Sequence, residues 1–162
     1  MKVIGFYGHF PNKPYACFSN FYPSTFELNG ITYFCMEQYI MYQKALTFCD
    51  YDTAEKIMQA TTPNECKSLG RQVKHYVDEI WSEDRKVVAF EGLIAKFSQN
   101  PELKRILLST KDSVIAECSP YDKIWGIGLD VNHPDVQDVA KWRGENLLGY
   151  SLMKVRDLFI NA

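Results

Sequence analysis

The chain has 162 residues, of which 46% are hydrophobic and 23% charged, and a formal net charge of −2. That is the size and composition of one globular domain with a single core, spanning residues 1–162. The charge excludes a general electrostatic affinity for nucleic acid, which rests on many Lys and Arg contacts to phosphate.

Residues 3–7 read as a short strand, and FELNGITYF at 26–34 sets Asn29-Gly30 between two β-rich runs, a strong hairpin signal. From Met36 the spacing turns helical. MEQYIMYQKALTF has no Gly or Pro and puts Ile40, Met41 and Lys44 on the face that carries Glu37. Thr53 is the expected start of a second short helix, and Thr62-Pro63-Asn64-Glu65 joins a capping box to a proline at the first helical position. That third helix should end between Gly70 and Val73. Ser82 is the expected cap of a longer helix with Val87, Phe90, Ile94 and Phe97 as its core stripe, and Asn100-Pro101 opens another with Leu103, Ile106 and Leu107. SVIAE at 113–117 suits a strand, SPYDKIWGIGLD after it a loop, and Leu148, Leu152, Val155 and Phe159 the stripe of a closing helix. The expected fold is mainly α (α+β): one compact helical domain with a small N-terminal β hairpin element.

Five cysteines without a C-x-x-C pair suggest free thiols in a reducing cytoplasm, neither a disulfide framework nor a zinc knuckle. The N-terminus lacks the apolar run of a signal peptide, and no stretch reaches the length of a membrane span. His9, His75 and His133 show no ligand spacing, so neither a metal nor a cofactor is expected.

The residues that suggest chemistry are few. Glu37 and Lys44, two helical turns apart, point to one side among apolar neighbours, which is costly unless they pair or line a polar cavity. Side chains that reach from the stripe's edge to water satisfy the same spacing. Lys67 and Arg71 share a helix face at i, i+4, suited to an anion such as phosphate and equally to a solvated face. Asp122 and Trp125, followed by Gly126 and Gly128, combine a carboxylate, a flat ring and backbone that a ligand can approach closely; a lid on the core has the same look. With no nucleophile elbow, Walker A loop or dinucleotide fingerprint, the set suits acid–base or electrostatic work on a sugar, or the binding of a nucleotide.

Seven motifs occur in order: CFSNFYP at 17–23, MEQYIMYQKA at 36–45, CKSLGRQV at 66–73, W-x-x-x-R at 81–85, AKF at 95–97, SPYDKIWGIG at 119–128 and GENLLGYSLMKVR at 144–156. Together they resemble the YbiA-like, or NADAR, family across nearly the whole chain. The resemblance implies N-glycosidase activity, either on ADP-ribose attached to a base, as in ADP-ribosyl-guanine in nucleic acid, or on phosphoribosylamino intermediates of riboflavin synthesis. A non-catalytic module that binds ADP-ribose or NAD is the reading from another class. Lys44, Glu37 and Asp122 then fall at catalytic positions, and Trp125, Arg71, Lys67, Asn146, Gly126 and Asn20 at substrate-binding ones. The implied partners are the ribosyl nucleotide or ADP-ribosylated base, with a transient contact to nucleic acid and none to a membrane. Two departures stand out: Gln38 occupies the place where many members have His, and residues 129–143 form a longer stretch than in shorter members.

Overall fold

In the computed structural model, which describes residues 2–162, the elements run β1 (Val3–Phe6), β2 (Phe26–Leu28), β3 (Ile31–Tyr33), α1 (Met36–Thr47), α2 (Tyr51–Gln59), α3 (Pro63–Gly70), α4 (Asp78–Gln99), α5 (Pro101–Ser109), β4 (Val114–Glu117) and α6 (Leu147–Ile160). Short 3-10 turns at Ala16–Phe18, Pro134–Gln137 and Val139–Lys141 complete the list. The chain is mainly helical, and its contacts form two compact units, Pro23–Gln99 and residues 2–22 with Asn100–Ala162.

The Pro23–Gln99 unit opens with the expected hairpin: β2 pairs antiparallel with β3, and Asn29 and Gly30 both take positive φ, at 54° and 81°, as a two-residue turn requires. Helix α1 follows at once. Helix α2 begins two residues earlier than Thr53 suggested, because Asp50 is its cap and accepts from the Thr53 N–H at 3.1 Å and the Thr53 hydroxyl at 2.7 Å. Asp50 also accepts from the Lys74 N–H at 2.9 Å, tying the start of α2 to the segment after α3. The capping box of α3 forms as read, with Thr62 accepting from Glu65 N–H and Pro63 opening the helix.

Helix α4 corrects the sequence reading in two ways. It starts at Asp78, so Ser82 lies inside its first turns and its hydroxyl donates to Asp78. Its buried side includes Trp81, Arg85, Ala89, Gly92, Leu93 and Lys96; of the expected stripe Phe97 is buried as read, whereas Val87 is exposed and Phe90 and Ile94 are half-buried. A stripe drawn from apolar letters alone misses the buried face where two of its members are cations.

In the other unit β1 pairs in parallel with β4, Val3 opposite Val114 and Phe6 opposite Glu117. Val3, Ala116, Cys118, Ile127, Leu129 and Val136 form its core. Helix α6 packs on β4, and its Leu148, Leu152 and Val155 are fully buried. Buried Arg156 donates to Thr110 Oγ1 at 2.9 Å and to the Ser113 carbonyl at 2.8 Å, fastening the turn that leads into β4. Among the described residues no helix is long and apolar enough to cross a membrane.

Candidate active site

Helix α1 carries its ionisable groups on a side that other helices cover. Glu37 is only 9% exposed, and Lys44, two turns on, is half-buried. Two glycines bring the covering helices close. A Cβ on Gly70 would lie 2.0 Å from Met41 Sδ, so α3 ends against α1 one turn before Lys44, and the next residue is Arg71. A Cβ on Gly92 would lie 2.6 Å from the Tyr39 ring and 2.9 Å from Met36, so α4 crosses the first half of α1 there. Two turns before Gly92 on that face stands Arg85, 8% exposed, and one turn after it Lys96, fully buried.

This packing sets the state of Lys44. Burial lowers its pKa below the ordinary lysine value, the Glu37 carboxylate opposes that, and the charges of Arg71 and Arg85 push it further down. The net direction favours the neutral amine. Its Nζ lies 4.8 Å from the centre of the Tyr76 ring, whose hydroxyl donates to Asp78 at 2.7 Å and which packs at a tilt beside Phe48. The neighbouring thiols behave oppositely: burial pushes Cys35 up to about 11 and Cys66 up to about 12, so both stay protonated and unreactive. Arg71 and Lys67 are exposed at the end of α3. Of the residues singled out from sequence, Glu37, Lys44 and Arg71 thus meet in one electrostatic cluster.

A second set lies in residues 119–149. Asp122 Oδ1 accepts from the N–H groups of Ile124 and Trp125, both at 2.9 Å, which closes a tight turn and fixes the half-buried Trp125 at its end. The following backbone zips onto the start of α6: Arg143 N–H donates to Ile127, Asn146 to Gly126, Leu147 to Ile124 and Leu148 to Trp125, at 2.8–3.1 Å. Gly126 is required by this packing, since a Cβ there would lie 2.8 Å from the Glu117 carbonyl. Asn146, fully buried with φ 53°, donates to the Ile115 carbonyl at 2.8 Å and accepts from Glu117 N–H at 3.0 Å, so both ends of its amide are held by β4. Asn20, buried just after the first 3-10 turn, differs: its Oδ1 is an acceptor with no hydrogen-bond partner among the described residues.

The sequence reading missed Arg85 and Lys96 as members of the α1 cluster. Both stand in quoted motifs, W-x-x-x-R and AKF, and the signal was there: 11 residues apart, three helical turns, they share one face with Trp81 and Leu93. Among the described residues no group of His, Cys, Asp and Glu has the arrangement of a metal site.

The NADAR domain model matches residues 5–160. The chain belongs to the NADAR family. It is 42% identical over 159 residues to protein irg-1 of Caenorhabditis elegans, covering 88% of this chain and 75% of that one. It is 41% identical over 162 residues to N-glycosidase R617 of Acanthamoeba polyphaga mimivirus, covering 96% and 95%. The solution structure of the Escherichia coli protein YbiA matches with a TM-score of 0.81 at 29% identity, over 99% of this chain and 86% of that one.

Within this NADAR chain, Gln38 has a structural post. Its Oε1 accepts from Phe34 N–H at 2.9 Å and its Nε2 donates to the Ile57 carbonyl at 3.2 Å, tying β3, α1 and α2 together. An amide there cannot carry the proton that an imidazole would. The long 129–143 stretch folds into two 3-10 turns, with Trp142 donating to the Val136 carbonyl at 2.9 Å and packing beside the core.

Proposed function

We propose that this chain is an N-glycosidase that hydrolyses a ribosyl C–N bond, and that its substrate is ADP-ribose joined to a nucleobase, such as ADP-ribosyl-guanine in nucleic acid. The observation that carries the reading is the state of Lys44, a half-buried amine pressed toward neutrality by burial and by two guanidinium charges. The named relatives support the bond type. A binding module has no use for a nucleophilic amine, whereas a covalent route through the sugar requires one.

In that route the neutral Lys44 Nζ attacks the anomeric carbon as the bond to the base nitrogen breaks, and the departing base takes up a proton. The N-ribosyl lysine then loses its ring C–O bond, the lone pair on nitrogen forming the C=N bond while the ring oxygen accepts a proton. Water adds to the protonated Schiff base, and collapse of the carbinolamine frees the lysine and the sugar. The balance is one water consumed, one base released and one ribose hydroxyl formed. Positive charge builds at the anomeric carbon on the way, and a carboxylate lowers its energy. Glu37 fills that role and moves the ring-oxygen proton, with Asp122 as the other acid on the loop.

On this reading Trp125 stacks on a ring of the substrate, and Arg71 and Lys67 take its phosphates. Gly126 keeps the loop backbone against Glu117, and the unpartnered Asn20 Oδ1 accepts from a ligand hydroxyl or amino group. Asn146 acts through the loop it fixes. Contact with a nucleic-acid strand is brief, in keeping with the net charge of −2, and the free thiols suit the cytoplasm.

The test is a substrate panel. The pure protein is offered DNA carrying ADP-ribosylated guanine, NAD and a phosphoribosylaminouracil, and the products are followed by mass spectrometry. Removal of ADP-ribose from the modified DNA supports the proposal. Turnover of the phosphoribosylamino compound alone would keep the bond type and replace the substrate; no release from any of them would reject the function.

A further inference from the structure

The segment between α3 and α4 is short, and it is tied down along its length. Gln72 N–H donates to the Leu69 carbonyl at 2.9 Å, and Lys74 N–H donates to Asp50, the cap of α2, at 2.9 Å. His75 follows with φ 65°, a left-handed conformation that is costly for a residue with a Cβ and persists where its surroundings fix it. The next residue is Tyr76. Its hydroxyl donates to Asp78 Oδ1 at 2.7 Å, the other oxygen of that carboxylate accepts from Ser82 at 3.4 Å, and its ring lies 5.4 Å from that of Phe48 at a tilt of 59°. Burial and the Asp78 carboxylate hold the phenol above the ordinary tyrosine value, so the ring stays neutral. In this setting Lys44 Nζ stands over the ring, 4.8 Å from its centre, within the range at which an aromatic face attracts a cation.

The proposed reaction gives that contact a task. Burial and the guanidinium charges of Arg71 and Arg85 favour the neutral amine before attack, and they also disfavour the protonated Schiff base that attack leads to. The nitrogen is the same atom in both states. Glu37 offsets this through its charge, and the face of Tyr76 does so in direct reach of the nitrogen. We infer that Tyr76 is a further working residue of the site: its ring seats the Lys44 nitrogen and stabilises the cationic Schiff base formed on it. A π face can do this without adding a net charge to the cluster. The role in catalysis rests on the proposed reaction, whereas the seat itself stands on the observed contact.

Tyr76 is 42% exposed, so its variants should fold and melt near the parent. Tyr76→Leu removes the ring, Tyr76→Phe keeps it without the hydroxyl, and Tyr76→para-cyanophenylalanine keeps its shape while drawing electron density from its face. The seat is tested without substrate, by labelling Lys44 with acetic anhydride across a pH series and mapping the acetylated peptide by mass spectrometry. Loss of the ring removes a contact that favours the ammonium, so the midpoint of labelling should fall by about half to one pH unit in Tyr76→Leu. It should fall by less in the cyano variant and stay close to the parent in Tyr76→Phe. Turnover of the modified DNA should follow the same order, with kcat lower by roughly tenfold in Tyr76→Leu, little change in KM, and most of the rate kept in Tyr76→Phe. An unmoved midpoint in Tyr76→Leu, or in the cyano variant should the first not fold, would overturn the seat. A shifted midpoint with an unchanged kcat would reject the role in catalysis. If the parent itself turns over none of the substrates, the proposed function fails, and the midpoint alone decides the seat.

Discussion

The α1 cluster and the loop from Asp122 to Leu148 are both rich in polar groups, and they satisfy them in different ways. In the loop the two polar residues singled out from sequence are met by backbone: Asp122 binds two N–H groups, and the Asn146 amide spans a carbonyl and an N–H of β4. In the cluster, charged side chains on α1, α3 and α4 act on one another, with Glu37, Arg85 and Lys96 all buried. In the loop these backbone bonds fix geometry, whereas in the cluster burial and neighbouring charges set the protonation of Lys44. Substitutions in the cluster should therefore change reactivity and its pH dependence, and substitutions in the loop should change stability.

The largest effect belongs to Lys44. Lys44→Ala should cut turnover by roughly a thousandfold or more in a protein that melts close to the parent, because it removes the group that makes and breaks the covalent bond. Steady-state rates beside a melting curve check both halves. Next is Asn146→Ala, which leaves the Glu117 N–H and the Ile115 carbonyl without partners and should destabilise the fold by about 2–4 kcal/mol, read from urea unfolding. A loss of activity without loss of stability in that variant would erase the contrast between the two regions.

Smaller shifts sharpen the contrast. The rate should rise with pH as Lys44 loses its proton, at a pH below that of an ordinary lysine. Arg85→Gln removes one of the cations that lower the lysine's pKa, so this limb should move to higher pH, costing roughly tenfold or less at neutral pH. A rate profile that stays in place would show that Arg85 does not set the state of Lys44. Asp50 provides the comparison in stability. Hydrogen bonds from Lys74 N–H and Thr53 hold it at about 2, below the usual 3.8, so its contribution is present in full above the unfolded value and is lost as pH falls toward 2. The Tm gap between the parent and Asp50→Asn should shrink over that range.

Local chemistry explains what could be read from sequence. Asn29-Gly30 and Thr62-Pro63-x-Glu65 specify their own hydrogen bonds within a few residues, and both formed as read. The starts of α2 and α4 did not, because Asp50 draws a third partner from Lys74, far along the chain, and Asp78 lies four residues ahead of the more obvious Ser82. The parallel pairing of β1 with β4 carries no local signal at all. For the site, spacing put Glu37 and Lys44 on one face, but the burial of Arg85 and Lys96 goes with the glycine at 92 that lets α4 close on α1. Asn146 was legible as a motif residue, while its hold on β4 depends on a strand met only in the fold.

The most direct test of the central claim is chemical trapping. If Lys44 attacks the sugar, a Schiff base forms during turnover, and borohydride reduces it to a stable secondary amine. The enzyme is incubated with DNA carrying ADP-ribosylated guanine, treated with borohydride, digested and mapped by mass spectrometry. The account predicts the mass of the reduced ribosyl product on the peptide containing Lys44, and no adduct in Lys44→Ala. An adduct on another lysine, or full turnover in Lys44→Ala, would contradict it and leave water, guided by Glu37 or Asp122, as the nucleophile.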